Sequence, residues 1–288
     1  MSALAKQSVL LRHAMCDWIA HLAVRSLHQE LVLHPKPGLV TPFSNGSHRD
    51  MTAQTFMRSL FALRHYFKKI TRAGADGAGF DALRELGIAA EQQMLVATRG
   101  VNTHRGAIFA IGMLCAALGA LAVRQQPLDQ AMLRRVLLQL WGADLQRHGM
   151  PAHEASNAPQ IHAVRGARAE AMLGFPSVFE IGLPQLTATL AAGRGWHAAC
   201  VDTLFALIAR INDTNVLHRG GLDGAAMARA LARKFMQEGG TGTSDWQARA
   251  ADCNDQFVAM NLSPGGAADL LAATCLVYYA AHPQGHRP

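Results

Sequence analysis

The stretch Phe56-Met57-Arg58-Ser59-Leu60-Phe61-Ala62-Leu63-Arg64-His65-Tyr66-Phe67-Lys68-Lys69-Ile70 decides the fold class. Phe56, Leu60, Leu63, Phe67 and Ile70 follow one another in steps of four, three, four and three residues, which is one face of an α-helix. The same period recurs on both sides. Val201, Leu204, Ile208 and Ile211 make a second stripe. A long first helix is predicted from Ala3 to about Leu33, stopped by Pro35 and Pro37. Pro127 to His148 suits a helix that starts on Pro and stops before Gly149 and Pro151. Ser263 and Pro264 read as an N-cap and first position of a helix running to about Ala281. No run of β-branched or aromatic residues alternates with polar ones as a strand requires. The expectation is an all-α fold with polar, Gly-rich loops at helix ends, in one domain over 1–288. Gly74–Gly79 and Gly239–Ser244 are expected to be surface loops.

Composition narrows the function classes. Half of the 288 residues are hydrophobic and 16% are charged, which excludes a disordered chain. Ala107 to Val123 carries no charge, yet it falls short of a bilayer span and holds Gly112 and Gly119. It reads as a helix buried on all sides, and no membrane segment is expected. Cys16, Cys115, Cys200, Cys253 and Cys275 are isolated, as buried free thiols are. With no secretory pattern at the N-terminus, a reducing cytoplasmic setting is expected. The formal charge of +7 points to an anionic partner. Basic residues do not cluster beyond pairs such as Lys68-Lys69, and aromatics are only 6%, so no nucleic acid is expected. A small polyphosphate fits such scattered charge.

Five polar, Gly- or Pro-rich stretches interrupt the helical pattern: 35–40 (PKPGLV), 45–51 (NGSHRDM), 100–107 (GVNTHRGA), 212–221 (NDTNVLHRGG) and 261–269 (NLSPGGAAD). Each places small and hydrogen-bonding residues beside a helix end, where free N–H groups and the helix dipole attract phosphate oxygens. Any one of them alone is an ordinary cap. Four of the five also carry Asp, His or Arg.

Positions 35–40, 100–108 (GVNTHRGAI), 166–175 (GARAEAMLGF, then Pro176), 214–221 (TNVLHRGG) and 263–271 (SPGGAADLL) together resemble the triphosphoribosyl-dephospho-CoA synthases. The resemblance spans most of the chain, in one order. It implies a transferase that condenses ATP with 3′-dephospho-CoA, giving 2′-(5″-triphosphoribosyl)-3′-dephospho-CoA and adenine. That product is the precursor of an acyl-carrier prosthetic group, handed on to a prosthetic-group transferase and an acyl carrier protein. Thr41, where the citrate lyase branch would have Asp, and Ser47, where it tends to Ala, lean toward the malonate decarboxylase branch. The citrate lyase branch, a magnesium-dependent glycohydrolase of ADP-ribose-type linkages and a non-enzymatic helical binding module are the alternatives. A homodimer is a further expectation.

Such a reaction needs a held triphosphate, help for departing adenine and a base for the attacking hydroxyl. Lys36, Arg49, Arg105 and Arg219 are the expected phosphate cations. His48, Asn102, Asn215, Gly220, Ser263, Gly265 and Gly266 complete the binding set. Mg²⁺ is expected with the triphosphate, with Asp50, Asp213 and Asp269 as its carboxylates. Asp50 reads alternatively as a helix N-cap, and Asp269 as a dipole partner in a first helical turn. His104, His218, Asp213 and Glu170 are the catalytic candidates. An adjacent arginine is expected to hold His104 and His218 neutral.

Overall fold

The computed structural model describes residues 3–124, 128–149 and 166–283. Eleven α-helices follow in chain order: α1 (Ala3–Val32), α2 (Ala53–Ala75), α3 (Phe80–Ala97), α4 (Arg105–Val123), α5 (Gln130–Gly149), α6 (Ala167–Met172), α7 (Leu183–Ala191), α8 (Gly195–Arg210), α9 (Thr214–Gln237), α10 (Trp246–Ala259) and α11 (Gly265–Ala281). A π-helical turn (Ser177–Gly182) leads into α7, and a 3₁₀ turn (Gly240–Gly242) precedes α10. Among the described residues there is no strand.

α4 lies at the centre, packed against α1, α2, α3, α5, α6 and α11. It is long and apolar enough to cross a membrane, but 78% of it is buried inside the protein. Its uniformly apolar sequence therefore serves neighbours on every side. The stripe that begins at Phe56 buries Leu60, Leu63, Phe67 and Ile70 in the same core. α2 and α4 meet backbone to backbone. A Cβ on Gly74 would stand 2.0 Å from the Ala116 carbonyl oxygen, and one on Gly119 would stand 2.1 Å from that of Thr71. Only glycine allows so close an approach.

Several expectations change. Gly74 belongs to the buried last turn of α2, not to a surface loop, because that crossing needs it. The 239–244 stretch is partly interior as well. Gly240 and Thr241 are buried, and Thr241 donates from its N–H and hydroxyl to the buried Asp202 carboxylate at 2.9 and 2.8 Å. Residues 214–221 form the opening turns of α9 rather than a loop, with a break at Gly221 (φ 62°). The N-cap of α2 is Thr52, in a reciprocal capping box with Thr55, so Asp50 does not cap it. α11 starts at Gly265, one residue after the expected Pro264, and the Ser263 hydroxyl does not cap it. Asp269 is the fifth residue of α11 and so lies beyond its first turn, not in it. Pro127 and Pro151 fall outside the described residues.

Candidate functional site

Four helices aim their N-termini at one place. Gly106 of α4, Gly166 and Ala167 at the start of α6, Thr214 of α9 and Gly266 of α11 line common space, with Asp269 among them. Three cavities open from this junction. One of about 420 Å³ is lined by Glu170, Ser177, Arg210, Asn212 and Asp213. One of about 800 Å³ carries Arg84, Glu91, Asn102, Arg105, Arg168 and Asn215. One of about 280 Å³ holds Glu30, His48, His104, His218, Arg219 and Ser263. Asp269 lines all three, and Gly265 lines the second and third. Converging N-termini place partial positive charge on several sides of one space, which favours an anion, while Asn102, Asp213 and Asp269 already accept from several of the first N–H groups of α4, α9 and α11.

The two carboxylates nearest the junction are built differently. Asp213 caps α9: its Oδ1 accepts from the N–H groups of Asn215 (2.9 Å) and Val216 (3.4 Å), and its Oδ2 accepts from Ala267 at the start of α11 (2.9 Å). Burial raises its pKa, and the backbone N–H groups of Ala267, Asn215, Val216 and Gly266 pull against that rise. Asp269 has the Ala107 N–H against the same burial, with Glu30 and Asp213 adding negative charge nearby. Its carboxyl is held well above the usual carboxylate range. Gly106 is what lets it in, since a Cβ there would stand 2.1 Å from Asp269 Oδ2.

His104 is buried just before α4. Its Nδ1 lies 2.6 Å from Ser59 Oγ, its backbone N–H meets Met94 Sδ, and Phe56 stands edge-on to the ring at 5.0 Å. Nε2 is buried with no hydrogen-bond partner among the described residues. The imidazole is neutral, as expected, but for another reason. Burial comes first and Lys36 second, together holding its pKa down to about 3; Arg105 is not the cause. Arg105 instead pairs with Glu91 at 2.6 Å, while its backbone N–H reaches Asn102 Oδ1.

The segment 45–51 is braced to the start of α11. Arg219 donates to the Ser47 carbonyl (3.0 Å), to Asn261 Oδ1 (3.0 Å) and to His48 Nδ1 (3.1 Å), so His48 Nε2 donates onward to Ser263 Oγ (2.8 Å). Burial and the Arg219 charge keep the His48 pKa low, against Asp50 at 3.8 Å. Ser47 Oγ donates to the Leu262 carbonyl at 2.6 Å. Thr41 Oγ1 accepts from the N–H groups of Phe43 and Ser44.

Four expected site residues stand apart from the cavities. Lys36 is buried behind the wall, where its Nζ donates to Glu30 Oε1 (2.6 Å) and to the Glu30 carbonyl (2.7 Å). Its charge is already matched, so the phosphate contact assigned to it is corrected to a buried ion pair. Arg49 and Asp50 are exposed and line none of these cavities. Gly220 is a packing residue, because a Cβ there would strike Leu262 Cδ2 at 2.4 Å. Glu170 lines the 420 Å³ cavity with both oxygens engaged by Ser177, from its N–H (3.1 Å) and its hydroxyl (2.7 Å). His218 is exposed on α9 and faces the 280 Å³ cavity.

Among the described residues no three His, Cys, Asp or Glu side chains are grouped to hold a metal ion. Asp50 is exposed and lines none of the three cavities, and both oxygens of Asp213 are engaged. Asp269 alone of the three fits a Mg²⁺ that takes most of its ligands from phosphate and water. Sequence reasoning missed Glu30, Ser59, Arg84, Arg168 and Arg210. Arg168 lies inside the 166–175 motif and was within reach. Glu30 and Ser59 sit in long helices without any local signal.

The family model for ATP:dephospho-CoA triphosphoribosyl transferase matches residues 16–288. A probable 2-(5″-triphosphoribosyl)-3′-dephosphocoenzyme-A synthase of Pectobacterium carotovorum subsp. carotovorum is 39% identical, covering 97% of this chain and 95% of the relative. The 2-(5″-triphosphoribosyl)-3′-dephosphocoenzyme-A synthase of Pectobacterium atrosepticum is 39% identical over 93% of this chain and 90% of the relative. A probable synthase of the same name from Acinetobacter calcoaceticus is 35% identical over 94% and 93%. No solved structure matches the chain.

Proposed function

The chain belongs to the ATP:dephospho-CoA triphosphoribosyl transferase family, and from that premise we propose how its cleft carries out the transfer and which pathway it serves. It is a transferase that makes triphosphoribosyl-dephospho-CoA. The 2′-hydroxyl of dephospho-CoA attacks C1′ of the ATP ribose, the bond from C1′ to adenine breaks, and the triphosphate stays on the transferred sugar. The convergence of four helix N-termini on Asp269 carries the reading, because it supports a polyphosphate that must be gripped without reacting.

The N-terminal dipoles of α4, α9 and α11, with Arg210, hold the triphosphate. Arg219 keeps His48 and the 45–51 segment in place beside it. Asp269 stands where the three cavities meet, and its carboxylate stabilises the positive charge that grows on the sugar as adenine leaves. Asp269 would hold the Mg²⁺ that accompanies a triphosphate, and the ion would supply charge neutralisation. His104 Nε2, neutral and unengaged, takes the proton of the attacking hydroxyl. Phosphate charge arriving beside the ring raises its proton affinity. Adenine occupies the 280 Å³ cavity, where Asn102, Asn215 and His218 offer hydrogen bonds to its departing nitrogens.

Thr41 and Ser47 favour a role in making the malonate decarboxylase prosthetic group. The product passes to a prosthetic-group transferase and then to the acyl carrier subunit. The substrates are intracellular nucleotides, which puts the enzyme in the cytoplasm in this reading. Incubation with Mg²⁺ and ATP, with and without dephospho-CoA, tests the reaction. Adenine should appear only with both substrates, beside a product whose mass is their sum less adenine. Adenine released from ATP alone would make the protein a glycohydrolase instead. Deletion of the gene should leave the malonate decarboxylase carrier unmodified; loss from the citrate lyase carrier instead would reverse the branch.

A further inference from the structure

The 800 Å³ cavity differs from its two neighbours in having a polar end and an apolar end. It begins at Asp269, Gly266 and Gly106, and it runs between α3 and α4. Along α4 its lining passes from Arg105 through Phe109 to Met113; along α3 it passes from Glu91 through Gly87 to Leu83 and Phe80. At 1.5 Å per helical residue these paths are about 12 and 16 Å long. Arg105 and Arg168 lie near the junction, while the far walls are Tyr66, Phe80, Leu83, Met113 and Leu145, all buried, with the exposed Arg84 beside Leu83 at the rim. We propose that the apolar end is the binding site for the pantetheine arm of the acceptor. The inference rests on the transfer reading above and assigns one substrate to one cavity.

The two substrates share an adenosine and a phosphate chain, and they differ at the far end of that chain. ATP ends in phosphate. Dephospho-CoA continues from its diphosphate into a pantetheine arm with a gem-dimethyl group, two amides and a thiol. Attack through its ribose hydroxyl puts that ribose at Asp269. The diphosphate comes next, then the arm. The cavity presents the same order: Asp269, then the Arg105 and Arg168 cations, then an apolar channel. The Asp213 side of the junction offers 420 Å³, about half the space. Burial of the arm against aromatic and aliphatic walls adds affinity that ATP cannot draw on, which keeps the two nucleotides in their own places.

Gly87 gives a clean probe. It lines this cavity from within α3, and a Cβ there would meet only Tyr66 Oη, at 3.8 Å. The Cβ itself therefore fits, a longer side chain extends from it along the cavity wall, and replacing glycine inside a helix favours the fold. Gly87→Leu should raise KM for dephospho-CoA at least tenfold, leave KM for ATP within twofold, and keep or raise the melting temperature. In the unmodified enzyme, 4′-phosphopantetheine should inhibit competitively against dephospho-CoA and not against ATP, and Gly87→Leu should abolish that inhibition. An unchanged KM for dephospho-CoA in a folded variant, or competition of 4′-phosphopantetheine with ATP, would overturn this assignment while the transfer reaction stands. Absence of adenine release by the unmodified enzyme with both substrates would instead bring down the transfer reading itself.

Discussion

Asp213 before α9 and Asp269 within α11 face the same junction from two helices, and their surroundings give them opposite tasks. Asp213 spends both oxygens on backbone N–H groups and ties the starts of α9 and α11 together. Asp269 reaches past Gly106 into the meeting point of three cavities, where burial and two neighbouring carboxylates hold its pKa well up. A carboxylate with satisfied oxygens builds the site. A carboxylate kept at a cost, with room before it, is free to act on substrate.

The widest separation should come from Asp269→Asn. Turnover should fall by about 10²–10⁴, while the melting temperature holds or rises, because burial opposes ionisation of Asp269 and Asn has none to oppose. Activity retained within tenfold would erase the distinction. Asp213→Ala should act on stability. Loss of the α9 cap and of the bond to Ala267 should lower unfolding free energy by about 2 kcal/mol in denaturant titration, and a variant as stable as the parent would contradict the capping role.

A smaller and slower-growing difference should separate the parent from His104→Gln as pH falls. The folded pKa of His104 lies near 3, below the ordinary 6.5, so between those values the unfolded chain takes up a proton that the native ring refuses. The ring's contribution is therefore whole above about pH 6.5 and is lost progressively as pH drops toward 3. The raised pKa values of Asp213 and Asp269 work in the opposite sense, and they cancel when the two proteins are compared. Denaturant midpoints at pH 7 and 4.5 should fall more steeply in the parent; parallel slopes would mean that His104 is not buried neutral.

Much of this architecture was legible locally. The stripe from Phe56 to Ile70 and the uniformly apolar Ala107–Val123 announced a packed helical core, since burial imposes its period on every helix separately. The 100–107 and 261–269 segments were recognisable as helix starts with chemistry attached. Other assignments misled for a common reason. Residues 214–221 read as a loop because Gly220 and Gly221 are poor helix formers, yet the chain is helical up to Gly220, which packs on Leu262, and breaks only at Gly221 before α9 resumes. Lys36, in a motif rich in proline and glycine, looked like a phosphate ligand until Glu30, a turn and a corner away, proved to hold it.

Residue order alone thus established an all-helical chain and a small set of polar corners from which its activity must come. Which corners meet, which of two nearby aspartates is already satisfied, and whether a cation faces a cavity or an ion pair were decided only on folding. Helical periodicity is written within a few turns of chain, whereas the pairing of a buried polar group depends on neighbours such as Ala267 for Asp213 and Ser59 for His104, dozens of residues away.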